Sequence, residues 1–309
     1  MLDNPRLAVI IPTRGRDGCL RQTLRDLKTQ DYSNFEVWVV DQNDVPLKNL
    51  QEELGTRIKL HHEVMPPLGS HAGRNHAILR TQAEVLVFVD DDVRVEVDFL
   101  KRHVTAFRDA KGPVSAVAGR VIQPKDGYTP EEMKVMGRRA SYNRWLGRVS
   151  GNFVGSESAY VDHIHECNFS IIAKDLKEIG GFNEEFKGNA YFEGADLALR
   201  LIRQGKKILY RPEVCLVHLQ EGAGGNRVTD KARHTYWYMR NYGLLNSLHM
   251  KPIGLPVYAV FGAAYVLGKA LKNANPEIAF KGFSGLFSGL SYFRPGSVRE
   301  KTLSTKKPD

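Results

Sequence analysis

A chain of 309 residues, 42% hydrophobic and 26% charged, carries enough apolar material for a full core, which excludes a disordered or fibrous protein. Three widely spaced cysteines, Cys19, Cys167 and Cys215, exclude a disulfide scaffold and a cysteine-based zinc site, and they fit a reducing compartment. The formal charge of +9 attracts anions, whether phosphorylated substrates, nucleic acid or acidic lipid, without choosing among them.

The first segment, MLDNPRLAVIIPTRGR, lacks a basic stretch followed by a long apolar core, so it does not read as a signal peptide. LAVII (7–11) is a buried-strand run closed by Pro12, and residues 17–30 place Leu20, Leu24 and Leu27 at helical spacing. FEVWVV (35–40) is a second strand ending at Asp41, RIKLHH (57–62) a weaker third, and residues 70–82 a helix. EVLVFV (84–89) is a fourth strand and runs straight into Asp90, Asp91 and Asp92. This alternation predicts an α/β fold with a mostly parallel sheet flanked by helices. In such a fold Pro12-Thr13, Asp41 to Asp44 and Asp90 to Asp92 converge at the carboxyl ends of the strands, where ligands bind.

The middle is less regular. VSAVAGRVI (114–122) reads as a strand, and residues 124–158 as a long excursion rich in Gly, Arg and aromatic residues. CNFSII (167–172) is a strand and Lys174 to Gly181 a short helix. YFEGADLALRLIRQG (191–205) is a helix, and KILY and VCLVHL are two further strands, the last reaching His218. Beyond residue 230 aromatic and apolar segments take over, among them PIGLPVYAVFGAAYVLG (252–268) and FKGFSGLFSGLSYF (280–293). The former is short of the ~20 residues a membrane span needs and contains two prolines. VREKTLSTKKPD reads as a loose polar tail.

Several groups bear on chemistry. Clustered carboxylates at a strand end present hard oxygen ligands for Mg²⁺ or Mn²⁺, although Asp also favours solvated turns. Asp41 and Asp44 can accept hydrogen bonds from a base or ribose, or cap a loop. Arg74, in the first turns of a helix entered through Gly-Ser, offers a fork of donors to a diphosphate, or is a surface arginine. Glu193 and Asp196 share one helical face and suit a general base, though acids also cap helix starts. His218 either completes an oxygen-rich metal site or is structural, and the glycine-rich segment after it would close over a diphosphate with help from Arg227. Tyr142, Trp145 and Tyr160 would stack on sugar rings, or belong to the core.

In this order LAVIIPTRGR, FEVWVVDQND, GSHAGRNHAI, VLVFVDDD, GGFNEEF, FEGADLALRL and the late VHL resemble an inverting family 2 glycosyltransferase with the GT-A fold. The resemblance covers roughly residues 6–230, which it implies are one domain (1–230) with a C-terminal helical extension (231–309). It implies a UDP-, dTDP- or GDP-linked sugar donor and a Mn²⁺ or Mg²⁺ cofactor. By the family pattern Pro12, Thr13 and Arg16 sit near the nucleotide, Asp41 contacts the base, and Arg74 lies near the base or diphosphate. Asp90 matches the ribose-side carboxylate of the Asp-x-Asp motif, Asp91 stands beside it on the donor, Asp92 matches the metal ligand and His218 the late metal-binding histidine.

One departure matters. Many members carry Glu-Asp-x-Asp with the second residue as base, and here that position is Gly194. Glu193 or Asp196 must then serve, or the base comes from elsewhere in the chain, with Glu193 favoured because Gly194 permits a backbone shift that brings its longer side chain into the site. The resemblance also implies a saccharide or lipid-linked saccharide acceptor in cell-surface polysaccharide assembly. The apolar segments past residue 250 and the positive charge read as a peripheral helix on an anionic membrane, or as a helix pair packed on the domain or a self-association surface. The expected location is the cytoplasm, peripheral on the inner face of the membrane. Three rivals remain. A sugar nucleotidyltransferase would need a phosphate-binding Lys that PTRGRDG lacks, and a non-catalytic nucleotide-sugar scaffold finds support in Gly194. No nucleic acid partner is expected, because the basic residues are dispersed and no recognition motif is visible.

Overall fold

A computed structural model describes residues 3–124, 140–151, 153–221, 224–225, 228–251 and 254–293. Arg227, residues 125–139 of the excursion and the tail after 293 lie outside the described residues.

Short branched apolar runs make strands because they fit a sheet covered on both faces. β1 (Leu7–Thr13), β2 (Phe35–Asp41), β3 (Lys59–Val64) and β4 (Val85–Val89) lie in the order β3-β2-β1-β4, all parallel. Their connections carry α1 (Asp17–Lys28), α2 (Leu50–Leu54) and α3 (Ser70–Arg80). Past β4 the sheet continues through β10 (Asn168–Ile172), β6 (Ala116–Ile122), β11 (Ile208–His218) and β5 (Val93–Val95), and β9 (Ala159–Tyr160) pairs with β11. β10 is antiparallel to both β4 and β6, whereas β6 and β11 run parallel. Six of these nine strands therefore point the same way, which is the expected mostly parallel α/β sheet. Two apolar layers cover its faces, one holding Leu20, Leu24 and Leu27 of α1, the other Ala77 and Ile78 of α3 with Phe88 and Phe169 of the sheet. β7 (Ser141–Asn143) and β8 (Arg148–Ser150) form a separate hairpin in the excursion.

Three expectations change. β1 does not stop at Pro12 but runs on to Thr13, with Pro12 opposite Val40. KILY and VCLVHL are one strand, β11, whose pairing with β6 shifts between Arg211 and Cys215. Pro212 cannot donate to the ladder, so the strand bulges there instead of ending. Directly after the aspartates come β5 and α4 (Phe99–Arg108), neither of which the strand pattern had signalled.

The remaining helices are α5 (Ala173–Glu178), α6 (Glu193–Arg203), α7 (Lys231–His249), α8 (Leu255–Lys272) and α9 (Pro276–Ser291). The small residues of FSGLFSGL let α9 lie almost in backbone contact with α7: a Cβ on Gly285 would meet the Tyr236 carbonyl at 2.3 Å, and one on Gly289 would meet Gly243 Cα at 3.0 Å. The glycine face is thus turned inward, leaving Phe280 and Phe287 exposed. α7 is tied to the sheet domain, since Asn241 Nδ2 donates to the Lys187 carbonyl (2.9 Å) and Arg240 donates to that of Glu185. Among the described residues no helix is long and apolar enough to cross a membrane.

Candidate active site

The carboxyl ends of β1, β4 and β11 open into one cleft of about 1450 Å³, closed on its other sides by the start of α3, the segment before α6 and the first turn of α7. Such a volume exceeds that of an ordinary small-ligand pocket and suits an extended donor together with its acceptor.

On its floor, Asp90, Asp92 and His218 bring one ligand atom each to within 4.8 Å of one another. β4 delivers the aspartates and β11 the histidine, and the pairing of His218 with Val93 fixes their register. His218 Nε2 lies 3.1 Å from Asp92 Oδ1, which also lies 3.1 Å from Arg16 Nη1, and the Glu221 amide donates to Asp92 Oδ2 (2.9 Å). Burial opposes ionisation of Asp92, but the hydrogen bond and charge of His218, aided by Arg16, hold its carboxyl at about 2. Two carboxylates and an imidazole suit Mn²⁺, and the nitrogen makes Mg²⁺ the poorer match.

Asp91 differs from its neighbours. It is buried, takes a hydrogen bond from Thr13 Oγ1 (2.8 Å) and pairs with Arg16 Nη1 (2.8 Å). Burial nonetheless pushes its carboxyl up to about 6, against the pull of Arg16. Pro12, Thr13, Arg16, Asp90 and Asp91 all line the cleft. Arg16 is engaged by Asp91 and Asp92 rather than open to a nucleotide.

Two expectations are corrected by burial. The Asp41 carboxylate is fully enclosed and does not line the cleft: it accepts from the Asn43 amide (2.9 Å), the Leu47 amide (2.8 Å) and Asn43 Nδ2 (2.7 Å), with His62 Nε2 at 3.0 Å. It shapes the loop after β2, and the adjacent Gln42 reaches the cleft in its place, holding Gly69 through both ends of its amide. Asp196 is likewise sealed, 2.8 Å from both Arg200 Nε and His249 Nε2, and outside the cleft. It pins α6 to α7 and is in no position to take a proton from a substrate.

Arg74 does line the cleft, but its guanidinium is only 2% exposed and both of its arms are taken. Nη1 binds Glu193 Oε1 (2.6 Å), Nη2 binds Asp90 Oδ1 (2.9 Å), and the group lies 5.4 Å from the centre of the Phe182 ring. Instead of a fork for diphosphate it is a bridge between two carboxylates, one from β4 and one from α6. Glu193 lines the cleft as expected, with His71 Nδ1 3.4 Å from its Oε2. The chain reaches it through Ala190 (φ +54°) and Phe192 (φ +75°), two left-handed non-glycine residues, a form of strain that gathers at functional sites.

Several lining residues carried no signal in the sequence. Exposed Arg14, Lys187 and Arg233 put cations around the rim, and Phe153, Tyr191 and Phe192 supply the aromatic surface. None of the three excursion aromatics lines the cleft: Tyr142 is buried with its hydroxyl on Asn246 (2.8 Å), while Trp145 and Tyr160 face outward. Glu166 was also missed. It sits two residues before β10, and the pairing of Asn168 with Val89 sets it at the edge where β4 delivers its aspartates. An acid just ahead of a strand antiparallel to the Asp-bearing strand is the signal that would have found it.

Comparison with known proteins accords with this geometry. A family model described as Glycosyl transferase family 2 matches residues 8–169. The GalNAc(5)-diNAcBac-PP-undecaprenol beta-1,3-glucosyltransferase of Campylobacter jejuni is 26% identical over 195 residues, 60% of this chain and 57% of that protein. The chain thus spans little more than half the length of that relative. Among solved structures, the mannosyltransferase PcManGT of Pyrobaculum calidifontis, in complex with GDP-Man and Mn²⁺, superposes with a TM-score of 0.56 at 18% identity, covering 94% of this chain and 87% of that one. TarS 1–349 of S. aureus with UDP-GlcNAc gives a TM-score of 0.61 at 16% identity, covering 94% and 82%. At such identities these likenesses establish the fold, which is GT-A. With the family match extending over more than half its length, the chain belongs to glycosyl transferase family 2.

Proposed function

We propose that the protein is an inverting glycosyltransferase that moves a sugar from a nucleoside-diphosphate donor to a hydroxyl of a saccharide or lipid-linked saccharide. The observation that carries this reading is the convergence of Asp90, Asp92 and His218 in a cleft whose rim is cationic. A divalent ion held by these three residues would supply Lewis-acid stabilisation to the diphosphate leaving group. Arg14, Lys187 and Arg233 add charge where the leaving group becomes more negative. The Arg74 bridge fixes Asp90 and Glu193 on opposite sides of one guanidinium, so donor-side and acceptor-side groups keep their spacing. A carboxylate opposite the donor takes the acceptor proton, and in-line attack inverts the anomeric centre.

A donor panel tests this. The protein with Mn²⁺ or Mg²⁺ is incubated with UDP-, dTDP- and GDP-sugars plus a membrane lipid extract, and released nucleoside diphosphate is measured. Metal-dependent release that requires the extract is expected. Gly194 favours one other reading, a nucleotide-sugar scaffold, and tight donor binding without release under every condition would select it.

The acceptor side of the proposal involves a membrane surface. Val260, Leu267 and Leu271 fall on one exposed stripe of α8, and Phe280 and Phe287 on one of α9, beside Lys272 and Lys281. This is the pattern of helices that lie on anionic lipid. Phosphatidylglycerol vesicles should therefore sediment the protein, less so in high salt. Leu267→Ser combined with Leu271→Ser should weaken that binding about tenfold or more, given ~1.5–3 kcal/mol per buried leucine. Equal partition of the wild type into neutral phosphatidylcholine would remove the anionic lipid from the proposal, and partition into neither would remove the membrane.

A further inference from the structure

Among the carboxylates lining the cleft, Asp90, Asp91 and Glu193 are each held by an arginine, Glu184 accepts from Asn75 Nδ2 (2.8 Å), and Asp230 caps α7 by accepting from the Arg233 amide (2.6 Å). Glu166 is held by no arginine among the described residues. Among the described residues no guanidinium or ammonium group lies within ion-pair reach of it, and its nearest basic atom is Nδ1 of the adjacent His165, at 4.0 Å from Oε2. The Gly194 amide donates to Glu166 Oε1 at 2.7 Å. That amide belongs to the first turn of α6, where the helix dipole favours an anion. Oε2 keeps its capacity to accept a proton.

Gly194 explains how the carboxylate comes to be there. A Cβ built on Gly194 would lie 2.4 Å from Glu166 Oε1 and 2.6 Å from the Ile164 carbonyl. The space in which any side chain at position 194 would begin is therefore filled, by a carboxylate arriving from the segment ahead of β10. Helix α6 supplies only the amide, and the acid comes from across the cleft.

We propose that Glu166 is the general base of the transfer, a role that rests on the transferase reading above. Its Oε2 takes the proton of the acceptor hydroxyl while the acceptor oxygen forms its bond to the anomeric carbon. The bond from that carbon to the diphosphate oxygen breaks and its electron pair leaves with the diphosphate, after which the proton passes to water. The surroundings suit the task. Burial first, and the Glu193 carboxylate next, raise the pKa of Glu166, opposed by Arg74 and the Gly194 amide. A raised proton affinity brings a carboxylate closer to the optimum for accepting a proton at neutral pH. Glu193, with Oε1 committed to Arg74, is left to position that pair.

The test uses the full chain with Mn²⁺ and whichever sugar nucleotide of the panel the wild type turns over. Glu166→Gln should lower kcat by about 10²- to 10⁴-fold, the span of general-base effects. Its Mn²⁺-dependent affinity for the free nucleoside diphosphate and its Tm should stay near wild type. Activity of the wild type should rise with pH through the Glu166 titration, a limb that Glu166→Gln lacks, and Glu166→Asp should restore part of kcat. A kcat within tenfold of wild type in Glu166→Gln overturns the proposal, and so does a parallel loss of nucleoside diphosphate binding, which would make Glu166 a donor ligand. In either case the transferase reading survives. If the wild type binds donor but never releases diphosphate, the transferase reading falls first and the base with it.

Discussion

Asp92→Ala is expected to fold but to lose Mn²⁺-dependent affinity for nucleoside diphosphates by about 100-fold or more, ~3 kcal/mol. The carboxylate is fully buried, and Oδ1 stands 3.1 Å from both His218 Nε2 and Arg16 Nη1. Removing it deletes one anionic member of a three-residue ligand cluster and leaves the imidazole without its closest carboxylate. Arg16 keeps Asp91, and the Leu219 amide keeps the Asp92 main-chain carbonyl (2.9 Å), so the strand ends remain joined. Titration calorimetry with UDP and GDP, with and without Mn²⁺, reads the effect directly. Unchanged Mn²⁺-dependent affinity would sink the metal assignment.

The second large effect concerns stability. Asp196→Ala should cost about 3–5 kcal/mol, because it strands Arg200 and His249 beside an empty buried position. For a chain of this size that is a fall in Tm of roughly 6–10 °C, with turnover per folded molecule nearly unchanged. Burial works against the Asp196 charge, but Arg200 and His249 more than offset it and keep its pKa below the usual carboxylate value. A depressed folded pKa means that the stabilisation is fully present above the unfolded value of about 4 and fades as pH falls through the folded one. The Tm difference between wild type and Asp196→Ala should therefore shrink below about pH 4. Turnover lost with Tm intact would instead return Asp196 to the reaction.

These two aspartates mark where the sequence was legible. Asp92 could be read because it ends an apolar run, and a strand of a parallel sheet delivers its carboxyl end to the ligand edge whatever lies around it. His218 followed by the same logic from β11. Asp196 and Asp41 also stood at the right ends of the right elements. Their fate was decided by the partners that enclose them: the local Asn43 and Leu47 with the more distant His62 for Asp41, and Arg200 one turn on with the distant His249 for Asp196. Spacing gives no access to the two histidine contacts. For Arg74, the place in the first turns of α3 and at the cleft was legible, but not the engagement of both its arms by Asp90 and Glu193. β5, at three residues, is too short to show a period, and β11 reads as two strands because Pro212 looks like a break when it is a bulge.

The crowding around Gly194 has a consequence for descent. A side chain at position 194 and the present placement of the Ile164 carbonyl and the Glu166 carboxylate exclude each other, since they would meet at 2.6 Å and 2.4 Å. A lineage carrying an acid on the helix could not acquire Glu166 in this pose by one substitution, nor could this chain regain a helix acid without moving the loop. The two arrangements are separate solutions joined only through an intermediate with a glycine at 194 and no acid at 166. Relatives of this chain should therefore show the two positions changing together.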